Sequence, residues 1–314
     1  MLKLVSLLDV SFGICAYNEE NNIGNLLNNL RRQFVPKPFR ISEIIVVSSG
    51  STDRTDKIVQ KMAKEDARIK LICEKERRGK AQALNLFFEK AKGEILVVVS
   101  ADTEPKNGSI AKLLEAMKDD VGGACAKTIP YYGRKTVLSV FYNFLWRVHN
   151  RMLLKEMLNG NLSHLGGDMW ALRNGIIAKI PPNIINDDAF IGITLRKKGW
   201  KVVFVPEAEV FIRSPCTPLE YISQRERVLI GHKQIEKTAG VVPTTIGAMA
   251  FKKPRYSTKI LVEELKLQRI NDYVKILVGI FLEAVSNILA LINLRKVESY
   301  LVWKQIRGTK IPTI

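Results

Sequence analysis

No two of the four cysteines, Cys15, Cys73, Cys125 and Cys216, form a Cys-x-x-Cys pair. Their scatter argues against a zinc site and against a disulfide scaffold, and it fits a reducing, cytoplasmic setting. No secretory leader is expected from the opening Met-Leu-Lys-Leu-Val-Ser-Leu-Leu, which is short for one and has no small-residue cleavage site. Acidic residues are scarce beside basic ones, 31 Asp+Glu against 49 Lys+Arg, for a net charge of +18. An excess of that size calls for an anionic partner: nucleic acid, acidic lipid or a phosphorylated substrate. The basic residues are dispersed and compose no recognised nucleic-acid-binding module, so no nucleic acid is expected. What is present is ordinary for a globular protein. The chain has 314 residues, 46% of them hydrophobic, enough for one large α/β domain and an appendage.

The run Ile95–Val99 is Ile-Leu-Val-Val-Val and reads as a strand buried on both faces. Asp102 and Glu104 follow just past its carboxyl end, the edge at which open α/β sheets bind ligands. A carboxylate there suits a divalent cation, Mn2+ or Mg2+, bridging to substrate phosphates. The alternative is a cap for a helix starting near Ser109. Upstream, Val10–Ala16, Ile44–Val47 and Ile69–Cys73 read as strands. Ile23, Leu26, Leu27 and Leu30, then Ile58, Val59 and Met62, then Ala81–Lys90, read as helices. This alternation predicts an α/β fold with a doubly wound, mostly parallel sheet. The loops after three of its strands then converge on one crevice.

Those loops read Ala16-Tyr17-Asn18-Glu19-Glu20, Ser48-Ser49-Gly50-Ser51-Thr52-Asp53 and Ser100-Ala101-Asp102, with Gly79-Lys80-Ala81-Gln82-Ala83-Leu84-Asn85 before the last. In this order and spacing they resemble glycosyltransferase family 2, over residues 8–232. The resemblance implies the Rossmann-like GT-A fold and a nucleotide-diphosphate sugar as donor. It puts Ala16, Tyr17, Asn18, Glu19, Ser49, Lys80, Asn85, Ala101 and Asp102 at the donor, with Asp102 also the metal ligand. On their own, Asn18 and Asp53 read equally as helix caps and Lys80 as a solvated lysine. With the resemblance, Lys80 meets the donor diphosphate as a point charge. The chain departs from the family twice. Ser48 and Ser49 stand where one or two aspartates are usual, one of them on the nucleobase. Ser100 stands where the first aspartate of Asp-x-Asp is usual. These departures leave the base open, point to weaker metal binding, and motivate a rival reading as a binding-only family member.

In the second half, Thr136–Leu158 reads as a core helix with Arg147, Arg151 and Lys155 on one side, or as a membrane-facing one. Gly166, Gly167 and Asp168 lie in a stretch similar to the family's acceptor-side loop, where glycine permits close backbone approach. His164 and Asp168 line that loop or serve structure alone. Asn186-Asp187-Asp188 opens a further helix. The resemblance matches Asp188 to the catalytic base, a group that a poorly nucleophilic sugar hydroxyl requires. Asp187 is assigned to the acceptor side, and the other reading of the pair is a helix cap. Gln224-Arg225-Glu226-Arg227-Val228 resembles the Gln-Arg-x-Arg-Trp element of the cellulose- and hyaluronan-synthase-like branch, with Gln224 and Arg227 near the diphosphate and acceptor. Val228 in place of the tryptophan speaks against processive synthesis.

Residues 1–232 are thus expected as the catalytic domain, 233–259 as a basic Gly/Pro/Thr loop able to close over the donor, and 260–314 as membrane-associating helices. Ile276–Leu294 is apolar except for Gly279, Glu283, Ser286, Asn287 and Asn293, and is flanked by Lys275, Arg295 and Lys296. Glu283, Ser286, Asn287 and Ala290 share a face, which favours an amphipathic interfacial helix over a soluble packing helix or a spanning one. With Tyr300–Arg307 as aromatic and basic anchors, an anionic membrane surface is the expected partner. The cytoplasmic face of a membrane is the expected location. The function this predicts is inverting transfer of a sugar from a nucleotide-diphosphate sugar to an acceptor hydroxyl, on a lipid-linked or membrane-proximal glycan. Transfer to a polyprenyl phosphate, which needs no base, is the nearest alternative. A non-catalytic nucleic-acid- or membrane-binding protein is the alternative of another class.

Overall fold

The computed structural model describes residues 6–131, 135–241, 243–245 and 253–302. Among them eight strands form one sheet: β1 Leu8–Ala16, β2 Phe39–Ser49, β3 Ile69–Glu74, β4 Ile95–Val99, β5 Glu104–Pro105, β6 Val121–Pro130, β7 Met169–Arg173 and β8 Lys201–Ile212. The helices are α1 Ile23–Arg31, α2 Thr55–Glu65, α3 Lys80–Lys90, α4 Ser109–Glu115, α5 Val137–Leu158, α6 Asp187–Lys197, α7 Pro218–Ala239, α8 Pro254–Lys266 and α9 Tyr273–Ile292. A 3-10 segment, Asn293–Tyr300, follows α9.

The strand order is β3-β2-β1-β4-β7-β6-β8-β5. The β3-β2-β1-β4 half is parallel, as the alternation of strand and helix predicts. Beyond β4 the sheet is mixed. β7 runs antiparallel to both β4 and β6, and β5 antiparallel to β8, while β6 and β8 are parallel. β7 is the element the sequence hides, because Met169–Arg173 falls inside the stretch read as an acceptor loop.

Period-two alternation in the buried strands explains the two flanking layers. On β1, Val10, Phe12 and Ile14 face one side, with Ile44 and Val46 of β2 and Ile95, Val97 and Val99 of β4. That layer holds Ile23, Leu27 and Leu30 of α1, Val59 of α2 and Leu113 of α4. Ile45, Val47, Leu96 and Val98 face the opposite layer, with Leu84 and Phe87 of α3, Leu153 of α5 and Ile191 of α6. Each such side chain contributes about 1.5–3 kcal/mol when taken out of water. Two packed layers thereby fix the carboxyl ends of β1, β2 and β4 along one edge.

The C-terminal part differs from expectation in three ways. α7 continues to Ala239, across the expected boundary at 232, and ends on Gly240 in the left-handed conformation. The expected closing loop shrinks to the segment before α8, and much of it, with the tail from Trp303 on, lies outside the described residues. By contrast α5 packs as the core-helix reading expects, its basic stripe facing protein: Arg147 pairs with Glu264 at 2.9 Å, and Arg151 with Glu263 at 2.8 Å and Glu264 at 3.2 Å. Finally, α9 packs on α5 and α7 through its polar and small face. Ser286 and Ala290 are buried, and Gly279 lies so close to the Phe141 ring that a Cβ would overlap it. The opposite stripe, Val274, Leu277, Phe281, Ile288 and Leu291, is exposed, as is Ile270 just before the helix.

Candidate active site

The first two loops are stitched together by backbone-to-side-chain hydrogen bonds. The Asn18 N–H donates to Ser51 Oγ at 3.1 Å, and the Thr52 N–H donates to Asn18 Oδ1 at 2.8 Å. The Glu19 N–H donates to Thr55 Oγ1 at 2.7 Å, and the Glu20 N–H to Asp53 Oδ2 at 3.1 Å. Asn18 holds φ 52°, a left-handed conformation that asparagine tolerates better than most residues. Asp53 also accepts from the Thr55 N–H at 2.9 Å, so it closes the turn into α2 as well as tying the two loops. Beside these loops the Arg77 guanidinium stacks on the Tyr17 ring, 3.7 Å from its centroid. The Ser49 hydroxyl donates to Glu74 Oε2 at 2.7 Å at the end of β3.

A cavity of about 220 Å³ opens at the same sheet edge. Lys80 reaches it from α3, Ser100 and Asp102 from the end of β4, and Gly167 and Asp168 from the start of β7. Asp187 and Asp188 come from the first turn of α6, and Gln224, Arg225 and Arg227 from α7. Asp102 and Asp188, far apart in sequence, therefore face one space. The amino end of a helix suits carboxylates, because its exposed N–H groups carry partial positive charge.

The two aspartates of α6 differ in surroundings. Asp187 is buried and lies 3.1 Å from Lys80 Nζ, a charge contact rather than an aligned hydrogen bond. Burial raises its pKa, Lys80 opposes the rise and Asp188 adds to it. Burial also works against the charge of Lys80, yet Asp187 and Asp188 outweigh it and hold the ammonium above its usual value. Asp188 instead turns to the cavity. Its Oδ1 accepts from the Ala189 N–H at 2.8 Å, and its Oδ2 lies 3.7 Å from His164 Nε2. Gly167 makes room for that carboxylate: a Cβ there would stand 2.7 Å from Oδ2.

Asp168 accepts from Thr128 Oγ1 at 2.7 Å. Burial pushes its carboxyl up to about 6, with Thr128 opposing and the Asp102 charge adding. Burial likewise pushes the Arg227 guanidinium down to about 9 against the pull of Asp187 and Asp188. It remains a cation at neutral pH, largely stripped of water beside two carboxylates.

Sequence reasoning named His164 but missed several other residues. The chain's three histidines all reach this cavity. Trp146, His149, His164 and His232 stack edge to face in series, with centroids 5.3, 5.8 and 5.9 Å apart. Burial keeps the imidazoles neutral, pushing His149 down to about 3. The backing of the α7 segment was also unforeseen. Arg225 donates to Glu283 of α9 at 2.8 and 2.6 Å, and the Tyr221 hydroxyl donates to the same carboxylate at 2.6 Å. Glu226 accepts from Asn293 and from Tyr300, each at 2.7 Å. Gln224 and Arg227 thus line the cavity while Glu226 is held from behind and Arg225 bridges the two. No local pattern could reveal this, since the partners lie 58 to 74 positions away.

Other expected residues are not at the cavity. Asn85 spends both ends of its carboxamide on the Ile180 backbone, 2.8 Å each way, and tethers α3 to the chain after β7. That removes it from the donor set. Ala16 and Ala101 are buried. Asp102 also borders a second cavity, about 550 Å³, whose wall carries Asn22, Asn25, Asn28, Asn29, Gln33 and Asn107.

The fit of a divalent cation rests on donor chemistry. Asp102 offers hard carboxylate oxygen, which suits Mn2+ or Mg2+. Among the described residues no three His, Cys, Asp or Glu side chains form a cage.

The profile described as "Glycosyl transferase family 2" matches residues 11–180, more than half of the chain. A probable glycosyltransferase YdaM of Bacillus subtilis is 28% identical over 72% of the chain and 56% of its own length. A dolichol-phosphate mannosyltransferase of Pyrococcus furiosus is 26% identical over 63% of the chain and 56% of its own length. The chain spans about half the length of the curated relatives it matches. Among solved structures, a mannosyltransferase of Pyrobaculum calidifontis in complex with GDP-Man and Mn2+ shares the fold. Its TM-score is 0.63 at 19% identity, over 93% of this chain and 88% of that one.

Proposed function

The chain belongs to glycosyl transferase family 2, and from that premise we propose that it is an inverting glycosyltransferase using a nucleotide-diphosphate sugar. The observation that carries this is the meeting of Asp102 and Asp188 on one cavity with Lys80 and Arg227. Asp188 takes the proton of an acceptor hydroxyl as its oxygen attacks the anomeric carbon. The bond to the diphosphate breaks, and Lys80 and Arg227 meet the negative charge that develops on it. Asp102 would hold Mn2+ or Mg2+, which when bound would neutralise diphosphate charge. The Pyrobaculum structure, with GDP-Man and Mn2+, supports this donor class and metal.

A glycan hydroxyl is the acceptor this geometry favours. Asp188 faces the cavity, and the adjoining groove carries Asn25, Asn28 and Asn107 beside Arg32 and Glu104, polar groups of a kind that suits sugar hydroxyls. Gln224 and Arg227 line the cavity, a position that suits contact with the diphosphate and acceptor and does not distinguish the synthase-like branch. The likeness to a dolichol-phosphate mannosyltransferase favours a second reading, transfer to a polyprenyl phosphate.

We also place the protein on the cytoplasmic face of a membrane. Leu277 and Phe281 are 64% and 65% exposed in the outward stripe of α9, and Ile270–Tyr300 is long and apolar enough to cross a bilayer. Because the inner face of α9 is packed on α5 and α7, peripheral insertion of the outer stripe fits better than spanning.

Thermal unfolding with a panel of nucleoside diphosphates and Mn2+ tests the donor class. A matching nucleotide at 100-fold its Kd stabilises by about 2.7 kcal/mol. The matching nucleotide sugar should then turn over. Absence of stabilisation by every nucleoside diphosphate would refute the proposal.

A further inference from the structure

Ser100 leaves Asp102 as the sole carboxylate of Ser100-Ala101-Asp102, yet the sheet brings another to the same place. β4 and β7 pair antiparallel with Val99 opposite Met169. The pairing runs on past the strand ends. The Ser100 N–H donates to the Asp168 carbonyl at 2.9 Å, and the Ser100 hydroxyl to the Gly167 carbonyl at 3.3 Å. Register therefore seats Asp168 beside the serine. Its carboxylate is oriented from β6 by the Thr128 hydroxyl at 2.7 Å, and it lines the cavity that Asp102 lines.

Asp102 and Asp168 line one cavity, and two hard oxygen donors facing a space where a diphosphate is to be held match the needs of an ion that keeps water and phosphate oxygens in its shell.

We propose that Asp168 is the second protein ligand of the divalent-metal site, supplying from β7 the carboxylate that Ser100 does not supply from β4. This rests on the reading of Asp102 as a metal ligand. The site is thus rebuilt across two neighbouring strands, and a serine at position 100 is compatible with a working enzyme.

Mn2+ binding to the full chain without nucleotide, followed by the EPR signal of the free ion, tests this independently of turnover. The wild type and Asp168→Asn should melt alike without metal, because the asparagine oxygen still accepts from Thr128. Asp168→Asn should weaken Mn2+ binding by about tenfold or more, since affinity follows the charge of the ligand set. Asp102→Asn should do the same. The double variant Ser100→Asp/Asp168→Asn should return to within about threefold of wild type. If asparagine at 168 disturbs folding, Asp168→Ser carries the same expectation. Loss of binding in Asp102→Asn with wild-type affinity in Asp168→Asn overturns this proposal while leaving Asp102 as a ligand. No Mn2+ binding by the wild type overturns both.

Discussion

Glu283 gives the sharpest test of how the C-terminal helix serves the site. Its carboxylate receives two hydrogen bonds from Arg225 and one from Tyr221. The arginine side chain is 20% exposed and the glutamate 23%. Glu283→Ala leaves Arg225 without its partner in a largely dry setting. Breaking a fully buried pair in this way costs about 3–5 kcal/mol, and the Tyr221 hydroxyl loses its acceptor at roughly 1 kcal/mol. Residual exposure lets water recover part of this, so about 2–4 kcal/mol is expected. At about 2 °C per kcal/mol for a chain of this size, the melting temperature should fall by roughly 4–8 °C. Arg225→Met/Glu283→Met should recover much of the loss, because no charge is then stranded. The pH sign is also fixed. Burial raises the Glu283 pKa, but Arg225 and Tyr221 outweigh it and hold it below its ordinary value. The pair's stabilisation is therefore complete above the unfolded carboxylate pKa and is lost as pH falls through the folded one. Glu283→Gln should shrink the stability difference between about pH 7 and about pH 3. An alanine variant within about 0.5 kcal/mol of wild type would show that α9 does not brace α7.

Three further outcomes are expected. Gly167→Ala drives a methyl into the Asp188 carboxylate, so transfer should fall by about 100-fold with circular dichroism unchanged; retained turnover would show that Asp188 need not sit where it does. Glu43 is buried, with Ser11 Oγ and Lys70 Nζ each 2.6 Å from its oxygens and the Lys92 N–H at 2.7 Å. Glu43→Ala strands those donors and should cost about 3 kcal/mol in urea unfolding. Gly279→Leu cannot fit against Phe141, so it should detach α9 and expose its inner face to limited proteolysis, whereas unchanged protection would mean that the helix docks elsewhere.

How far the sequence could be read depends on the range of the forces involved. The buried run of β4 and the loops at Ala16, Ser48 and Ser100 were legible because short apolar strands and their end loops are local. The parallel half of the sheet follows from them. β7 was not legible. Five residues after a Gly-Gly pair carry no sign of an antiparallel insertion, which long-range pairing with β4 and β6 decides. Helical spacing put Glu283, Ser286 and Ala290 on one face, but spacing does not say which way a face points. Arg225 and Gly279 turned it inward, against the expectation of a polar face toward headgroups. Asn85 shows the same limit at a single residue: its motif placed it at the donor, and the Ile180 backbone claimed it. The difference between Asp187 and Asp188 also became visible only with Lys80 in place beside one of them.

The most direct measurement compares Asp188→Asn with wild type in single-turnover sugar transfer, alongside nucleotide binding with Mn2+. A base acting on a hydroxyl is worth about 100- to 10,000-fold. The expected result is a loss of that size in transfer with nucleotide affinity unchanged. Transfer at the wild-type rate would contradict a base at Asp188 and point to an acceptor that is already ionised.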